Sequence, residues 1–333
     1  MRDTGGTPII TLCCAPDWMK GGAPGNTDWS NLEAAPLPEH YDDFAALSAE
    51  VARRYPDVQY FQVWNEMKGF YNASLNRWNY EAYTTLYNQV YDAVKAVRPD
   101  ALIGGPYVVV DTWASTSAGG RPATDPTLYN QPWGTADQRP LDVIDYWLAN
   151  KRGADFLAVD GKNQNRDTGT SKASPYDDCE KFVAFNDWLQ RRTSLPIVWS
   201  EWYASGTSGV TLAEHGSVMA HCAVRTLQSG AAILLEWQPQ GDAAGNSFPV
   251  GLWTDTQNAG GGQPTVHKPA SKAFRDHFHS GTQLYRVVVS DPNKLTVLAS
   301  SSRTLLINRS GGPLTVNLNG TLYTLAAYEV KLV

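Results

Sequence analysis

The sequence predicts an α/β protein of the TIM-type (β/α)-barrel class, incomplete at six βα units, with a small antiparallel β domain at its C-terminal end. Three observations predict it. Short apolar runs alternate with segments of helical spacing between residues 8 and 280. Two of those runs end on a glutamate followed by aromatic residues. Beyond residue 281 the helical spacing gives way to short β runs separated by tight turns.

The elements follow in order. Residues 8–14, PIITLCC, read as a strand ending at Ala15–Pro16–Asp17–Trp18. A Gly-, Asn- and Pro-rich loop then runs to Pro38, and within it Ser30 and Glu33 have capping-box spacing. Residues 39–55 form a helix with Phe44, Leu47 and Val51 on one stripe. Residues 58–66, VQYFQVWNE, contain no Gly or Pro and read as a buried strand that breaks off at a carboxylate. The next helix, 79–99, carries a stripe of Tyr80, Tyr83, Tyr87, Val90, Val94 and Val97 and stops at Pro99.

Residues 101–107 are a strand opening into a polar loop through residue 139, after which Leu141, Ile144, Trp147 and Leu148 mark a helix. The strand 156–160 is closed by Asp160, and the helix 179–191 is placed by Phe182, Phe185 and Leu189. The run 195–203, LPIVWSEWY, repeats the order of apolar strand, glutamate, aromatics. Thr211 and Glu214 form a capping box that starts a helix to residue 229. Residues 231–237 are the last strand of the series and 269–279 its last helix. The β runs that follow are 285–289, 295–299, 304–307, 314–318 and 322–330, so the expected domains are 1–281 and 282–333.

A closed barrel of this kind has eight units, and residues 1–7 cannot hold two more. An open parallel sheet leaves two unpaired edges and an apolar inner face. The expectation is that the first two βα units lie in lost upstream sequence, or that a partner subunit covers the gap in a homo-oligomer.

Composition bounds the function. Charged residues are 18% of the chain, the net charge is -6, and no basic run follows a phosphate backbone, which argues against a nucleic-acid partner. No apolar run is long enough to span a membrane, and Met1–Thr7 is too polar for a signal peptide, which leaves localisation open; secretion is expected only with further upstream sequence. The 12 Trp and 16 Tyr tilt towards sugar-stacking surfaces without requiring them. Cys13, Cys14, Cys179 and Cys222 have no metal-ligand spacing and read as buried small hydrophobes, with a disulfide as the alternative, the first two facing opposite ways along a strand.

In parallel α/β proteins the carboxyl ends of the strands carry the chemistry, and Glu66 and Glu201 sit at two such ends. Two carboxylates on one face suit glycosidic bond cleavage. In its motifs the chain resembles the retaining glycoside hydrolases of clan A. Their marks are Asn-Glu at the end of the fourth barrel strand, here Trp64–Asn65–Glu66, and a Glu at the end of the seventh, here Ser200–Glu201–Trp202. Thr11–Leu12 leading into Ala15–Pro16–Asp17–Trp18, Ile103–Gly104–Gly105–Pro106, and Trp237 are further echoes. Together they look most like family 39, the β-xylosidase and iduronidase family. The chain departs from that pattern at the sixth strand, where Val159–Asp160–Gly161–Lys162 replaces a stretch that often contains His, and in lacking the first two strands.

The resemblance implies a retaining β-glycosidase for a xyloside or related saccharide, with no metal or organic cofactor. Glu66 is then the general acid/base and Glu201 the nucleophile, its charge holding Glu66 protonated. Asn65 is expected to hold the sugar 2-hydroxyl. Trp237 would floor the subsite of the cleaved sugar, while Trp202 or Tyr203 would orient Glu201. Glu236 would lie beside the acid pair as a ligand or replace one member. Asp17, Trp18, Tyr107 and Asp160 would line the same face. Trp64 and Trp199 share strand parity with their glutamates and are expected to fill the barrel interior. The histidines fall on helices or their ends, away from the strand ends, and read as structural or surface residues. A different class of function, a sugar-binding relic of an incomplete barrel, is kept open by the missing units.

Overall fold

A computed structural model describes residues 5–168, 174–204, 210–238, 240 and 251–333. Six strands, β1 (Ile9–Leu12), β2 (Tyr60–Val63), β3 (Leu102–Val109), β4 (Phe156–Lys162), β5 (Ile197–Tyr203) and β6 (Ala231–Glu236), pair in parallel in chain order. The connecting helices are α1 (Tyr41–Arg54), α2 (Tyr80–Val97), α3 (Gln138–Asn150), α4 (Glu180–Gln190) and α5 (Leu212–Gln228), with α6 (Lys268–His277) after β6. Among the described residues β1 and β6 each pair on one side only, so the sheet is a part-barrel.

The helix caps are those of their local sequence. Asn79 accepts from the Ala82 amide at the start of α2, and Thr211 from Glu214 at the start of α5. In the first loop, Asp28 rather than Ser30 caps a single turn, Trp29–Asn31, by accepting from the Ser30 amide.

The sheet curls, and side chains record it. The Gln62 amide on β2 donates to Thr11 Oγ1 at 2.7 Å, and Ser200 Oγ on β5 donates to Gln62 Oε1 at 2.6 Å. Since β3 and β4 lie between β2 and β5, that second bond has to cross the inside of the curve. Phe156, Ala158, Val198 and Tyr107 share this inner face, packed by the half-exposed Tyr60, Leu102 and Ile233. Gly104 lies under the Phe156 ring, where a Cβ would clash with it.

The outer face holds the larger core. Trp64 packs edge-on against Phe44 of α1 and against Phe70, and Trp199 packs against Phe182 and Phe185 of α4 and donates its indole N–H to Asn186 at 3.0 Å. Each such buried aromatic ring contributes roughly 1.5–3 kcal/mol by leaving water. Both Trp residues therefore face the helices, not the barrel interior that strand parity predicts. The reason is local: β2 ends at Val63 and β5 carries a register shift, so the alternation that ties each Trp to its Glu is broken.

Beyond α6, Leu284–Tyr285, Leu295–Ser300, Thr304–Asn308 and Val330–Leu332 form an antiparallel sheet, and Leu314–Leu318 pairs with Thr321–Leu325. Asn319 and Gly320 both have positive φ, as a two-residue hairpin of this twist requires. The run expected over 285–289 pairs only through Tyr285, and that expected over 322–330 is two strands rather than one. This region sits on α5, where Ser217 Oγ donates to the Asn308 carbonyl at 2.8 Å and His221 Nδ1 meets Thr296 Oγ1 at 2.7 Å.

The cysteines differ from their reading as free hydrophobes. Cys13 is bonded to Cys14, and Cys179, in the turn before α4, to Cys222 of α5. The opposite-facing argument for the adjacent pair holds only inside a strand. Here β1 stops at Leu12 and the Cys13 amide turns back to the Thr11 carbonyl.

Candidate active site

Glu66 reaches the site by leaving its strand. Trp64, Glu66 and Met67 have φ of 69°, 50° and 58°, a left-handed path that side-chain-bearing residues adopt at a cost and that tends to mark functional turns. Trp64 fastens the turn, its indole N–H donating to the Lys68 carbonyl at 2.7 Å. Lys68 Nζ lies 2.9 Å from Glu66 Oε2 and 2.9 Å from Glu33 Oε1, and Glu33 also accepts from Asn65 Nδ2 at 3.3 Å. So Asn65 stands beside the candidate acid, with its amide held by Glu33.

Glu201 is aimed by a bulge. Val159 pairs with Trp199, but Asp160 pairs with Glu201, so β5 spends one extra residue there. Ser200 and Glu201 consequently both face inward while Trp202 turns out. A second shift between Pro106 and Val108, with Tyr107 at φ 51°, swings Tyr107 inward on β3. Its hydroxyl donates to Glu201 Oε2 at 3.2 Å. Asp160, 4% exposed, lies between the two. One carboxylate oxygen from each of Glu66, Asp160 and Glu201 falls within 4.8 Å of the others.

Three acids this close cannot all carry charge. Burial, then the charges of Glu201 and Glu66, push the Asp160 carboxyl up to about 10. Burial, then the Glu66 charge, raise Glu201 to about 7, against the Tyr107 hydrogen bond, which favours its ionised form, so the proton is held on the acid expected to carry the charge and not, as expected, on its partner. Burial raises the Tyr107 and Tyr203 phenols as well. For Lys68 burial disfavours the ammonium, but its bonds to Glu66 and Glu33 outweigh that and hold the ion. Glu66, Asp160 and Glu201 are also the donor set that a hard cation would use, although Lys68 already places positive charge against Glu66.

The carboxylates open into a cleft of about 700 Å³, a volume suited to a small-molecule ligand. Tyr71, Trp78, Trp113 and Tyr203 give it aromatic walls, and Arg139, Lys162 and Arg166 give it cations. Arg139 is held by Asp137 and Arg166 by Asp111. Behind Lys162, the buried Lys181 of α4 donates to the Lys162 and Gln164 carbonyls and to Thr112 Oγ1, pinning the end of β4. Apart from Lys162, which shares strand parity with Asp160, and Tyr203 at the end of β5, the lining residues named come from loops, two-residue strands and the first turn of α3, where the sequence has no periodic signal.

Other candidates lie elsewhere. Trp237 is at the margin of the cleft, tilted against the Tyr203 ring at 5.5 Å. Trp202 is buried against Phe182, and its indole N–H has no hydrogen-bond partner among the described residues, so Tyr107 and not Trp202 contacts Glu201. Glu236 pairs in register with Trp202 and shares its outward side, beside Phe274 and Phe278 of the α6 segment. Burial raises its carboxyl to about 8. His267, 1% exposed, stands 3.9 Å from it, a place at a strand end that the helix reading of the histidines did not expect. Asp17 binds Lys20 and the Asp28 amide within its own loop, and Trp18 packs on His40.

This arrangement of strands recurs in solved structures. A monomeric β-xylosidase from Caulobacter crescentus CB15 superposes with a TM-score of 0.60 at 16% identity, over 92% of this chain and 59% of that one. The chain shares its fold with glycoside hydrolases. A glucosidase from Croceicoccus marinus matches with a TM-score of 0.58 at 14% identity, over 98% of this chain and 64% of that one. CelM2, a bifunctional glucanase-xylanase from a metagenome library, matches at 0.56 and 12% identity, over 87% and 68%. The chain thus spans less than two thirds of the length of the first two. No protein-family model matches the sequence, and no curated protein matches it.

Proposed function

We propose that this protein, with its glycosidase-like fold, is a retaining glycoside hydrolase that cleaves β-glycosidic bonds of a xyloside or related saccharide by double displacement. One observation carries the reading: an oxygen of Glu66 and an oxygen of Glu201 lie within 4.8 Å of each other, and both residues line one aromatic-walled cleft. Retaining enzymes hold their two carboxyl groups roughly 5–5.5 Å apart, whereas inverting ones leave about 6.5–9.5 Å for a water. The close pair therefore favours retention.

In the first step the ionised Glu201 attacks the anomeric carbon, and Glu66 gives its proton to the departing oxygen. In the second, Glu66 takes a proton from water as that water displaces Glu201. Tyr107 donates to Glu201 while it carries charge. The aromatic walls supply flat apolar faces for sugar rings.

The test is a panel of nitrophenyl glycosides, with the product anomer followed by proton NMR. Turnover with retained configuration, lost by about 10³-fold or more in Glu201→Gln, is the expected result. Wild-type activity in that variant overturns the nucleophile assignment. The part-barrel favours one other reading, sugar binding without turnover, which calorimetric binding of a saccharide by a protein inert to the whole panel would support. Self-association through the one-sided strands β1 and β6 belongs to the same proposal and is read by native mass measurement.

A further inference from the structure

We propose that Asp160 is a third functional carboxyl group of this site, a positioning residue that holds Glu66 through a hydrogen bond donated by its own carboxyl group. The inference rests on the glycosidase reading for its kinetic consequences but not for the hydrogen bond itself. Two carboxylates suffice for the reaction proposed above, so a third needs its own account.

Geometry supplies that account. Asp160 is fixed by backbone on both sides: its carbonyl accepts from the Val110 amide, and it pairs in register with Val109 of β3 and Glu201 of β5. Its side chain is almost wholly buried, and one of its oxygens lies within 4.8 Å of an oxygen of Glu66. A hydrogen bond between two carboxyl groups requires a proton on one of them.

The surrounding charges decide which one. Glu66 has the Lys68 ammonium at 2.9 Å. Glu201 has the Tyr107 hydroxyl at 3.2 Å. Asp160 faces Glu66 from the turn after β2, Asp111 after β3, and Glu201 and Tyr203 from β5; Lys162, the cation of its own strand, lies two residues further along. Burial and these like charges both keep its proton on, in agreement with the raised value given above. Glu66 must alternate between neutral and charged forms during a double displacement, and a neutral donor can serve both, because Glu66 keeps an accepting oxygen in either form.

Asparagine is the natural probe, since it keeps a donor and the shape without the proton. Asp160→Ala should lower kcat by about 30-fold or more, and Asp160→Asn should recover it to within about fivefold, in the range expected of a residue that orients a reacting group. The alkaline limb of kcat should move in Asp160→Ala and return in Asp160→Asn, which lost packing alone would not produce. An activity-free measurement runs beside these: carbon-13 titration of side-chain carboxyl groups in the ligand-free protein. One signal should stay in its protonated position up to about pH 9, and it should vanish in Asp160→Asn.

A signal for Asp160 that titrates in the ordinary carboxylate range overturns the proposal whether or not the protein turns over glycosides. So does Asp160→Asn as impaired as Asp160→Ala, or Asp160→Ala with unaltered kcat and pH profile. Absence of turnover in the wild type, with the protonated signal present, would instead overturn only the glycosidase reading.

Discussion

Replacing Tyr107 by Phe removes one hydroxyl and leaves a ring of the same shape on the inner face. That hydroxyl donates to Glu201 Oε2 at 3.2 Å. A hydrogen bond to a charged group contributes about 1.5–3 kcal/mol, and this one, longer than usual, should fall just below that range, at about 1 kcal/mol. Divided by 1.36 kcal/mol per pKa unit, the loss should raise the ionisation of Glu201 by somewhat under about one unit. Glu201 already ionises at about 7, so the acid limb of kcat/KM should move from about pH 7 towards about pH 8. At pH 6 the variant should be about 5-fold slower, and at pH 9 nearly equal to the wild type. The assay is kcat/KM against pH with a dinitrophenyl glycoside, whose leaving group needs little help from Glu66; the apparent value belongs to the coupled acids together. A uniform loss across pH, or a limb displaced downward, would refute the idea that Tyr107 acts by favouring the charged form of Glu201.

Two further predictions concern the scaffold. Asp160 has a folded-state pKa raised from 3.8 to about 10, so the native state binds the extra proton between those values and stability falls as pH rises through that window. Asp160→Asn abolishes the titration and should flatten that fall, raising Tm at pH 8 by about 2 °C or more while changing it little at pH 4; a Tm lowered at pH 8 would contradict the sign. Gly104→Ala places a methyl against the Phe156 ring on the inner face, which should cost about 1–3 kcal/mol by denaturant unfolding. An unchanged midpoint would mean that Phe156 moves aside freely.

Much of the fold is legible in the residues. The alternation of apolar strands with helical stripes such as Tyr83, Tyr87, Val90 and Val94 places all six parallel strands, because burial on both faces leaves continuous apolar runs. Glu66, Glu201, Tyr107 and Asp160 could be named because each lies at or just past the carboxyl end of a strand. Trp202 and Glu236 could be named for the same reason, yet they lie on the outer side. Residue spacing counts alternation along a regular strand, and a single bulge reverses everything after it. Likewise Lys68 and Arg166 come from turns and loops and Arg139 from the first turn of α3, where direction is set by backbone conformation and by partners such as Asp137 and Asp111.

The sequence by itself determined the parallel α/β class, the order of its strands and the two strand-terminal glutamates, since these follow from local periodicity and burial. Only the tertiary structure decided that Asp160 joins those glutamates, that Tyr107 is their hydroxyl donor, and that both strand tryptophans serve the outer core. Those facts depend on left-handed turns after Val63, register shifts in β3 and β5, and the curl that lets Ser200 reach Gln62. The register shifts and the curl are relations between strands far apart in the chain, which no window of neighbouring residues contains, and the turn after Val63 is a local departure that carries no periodic signal.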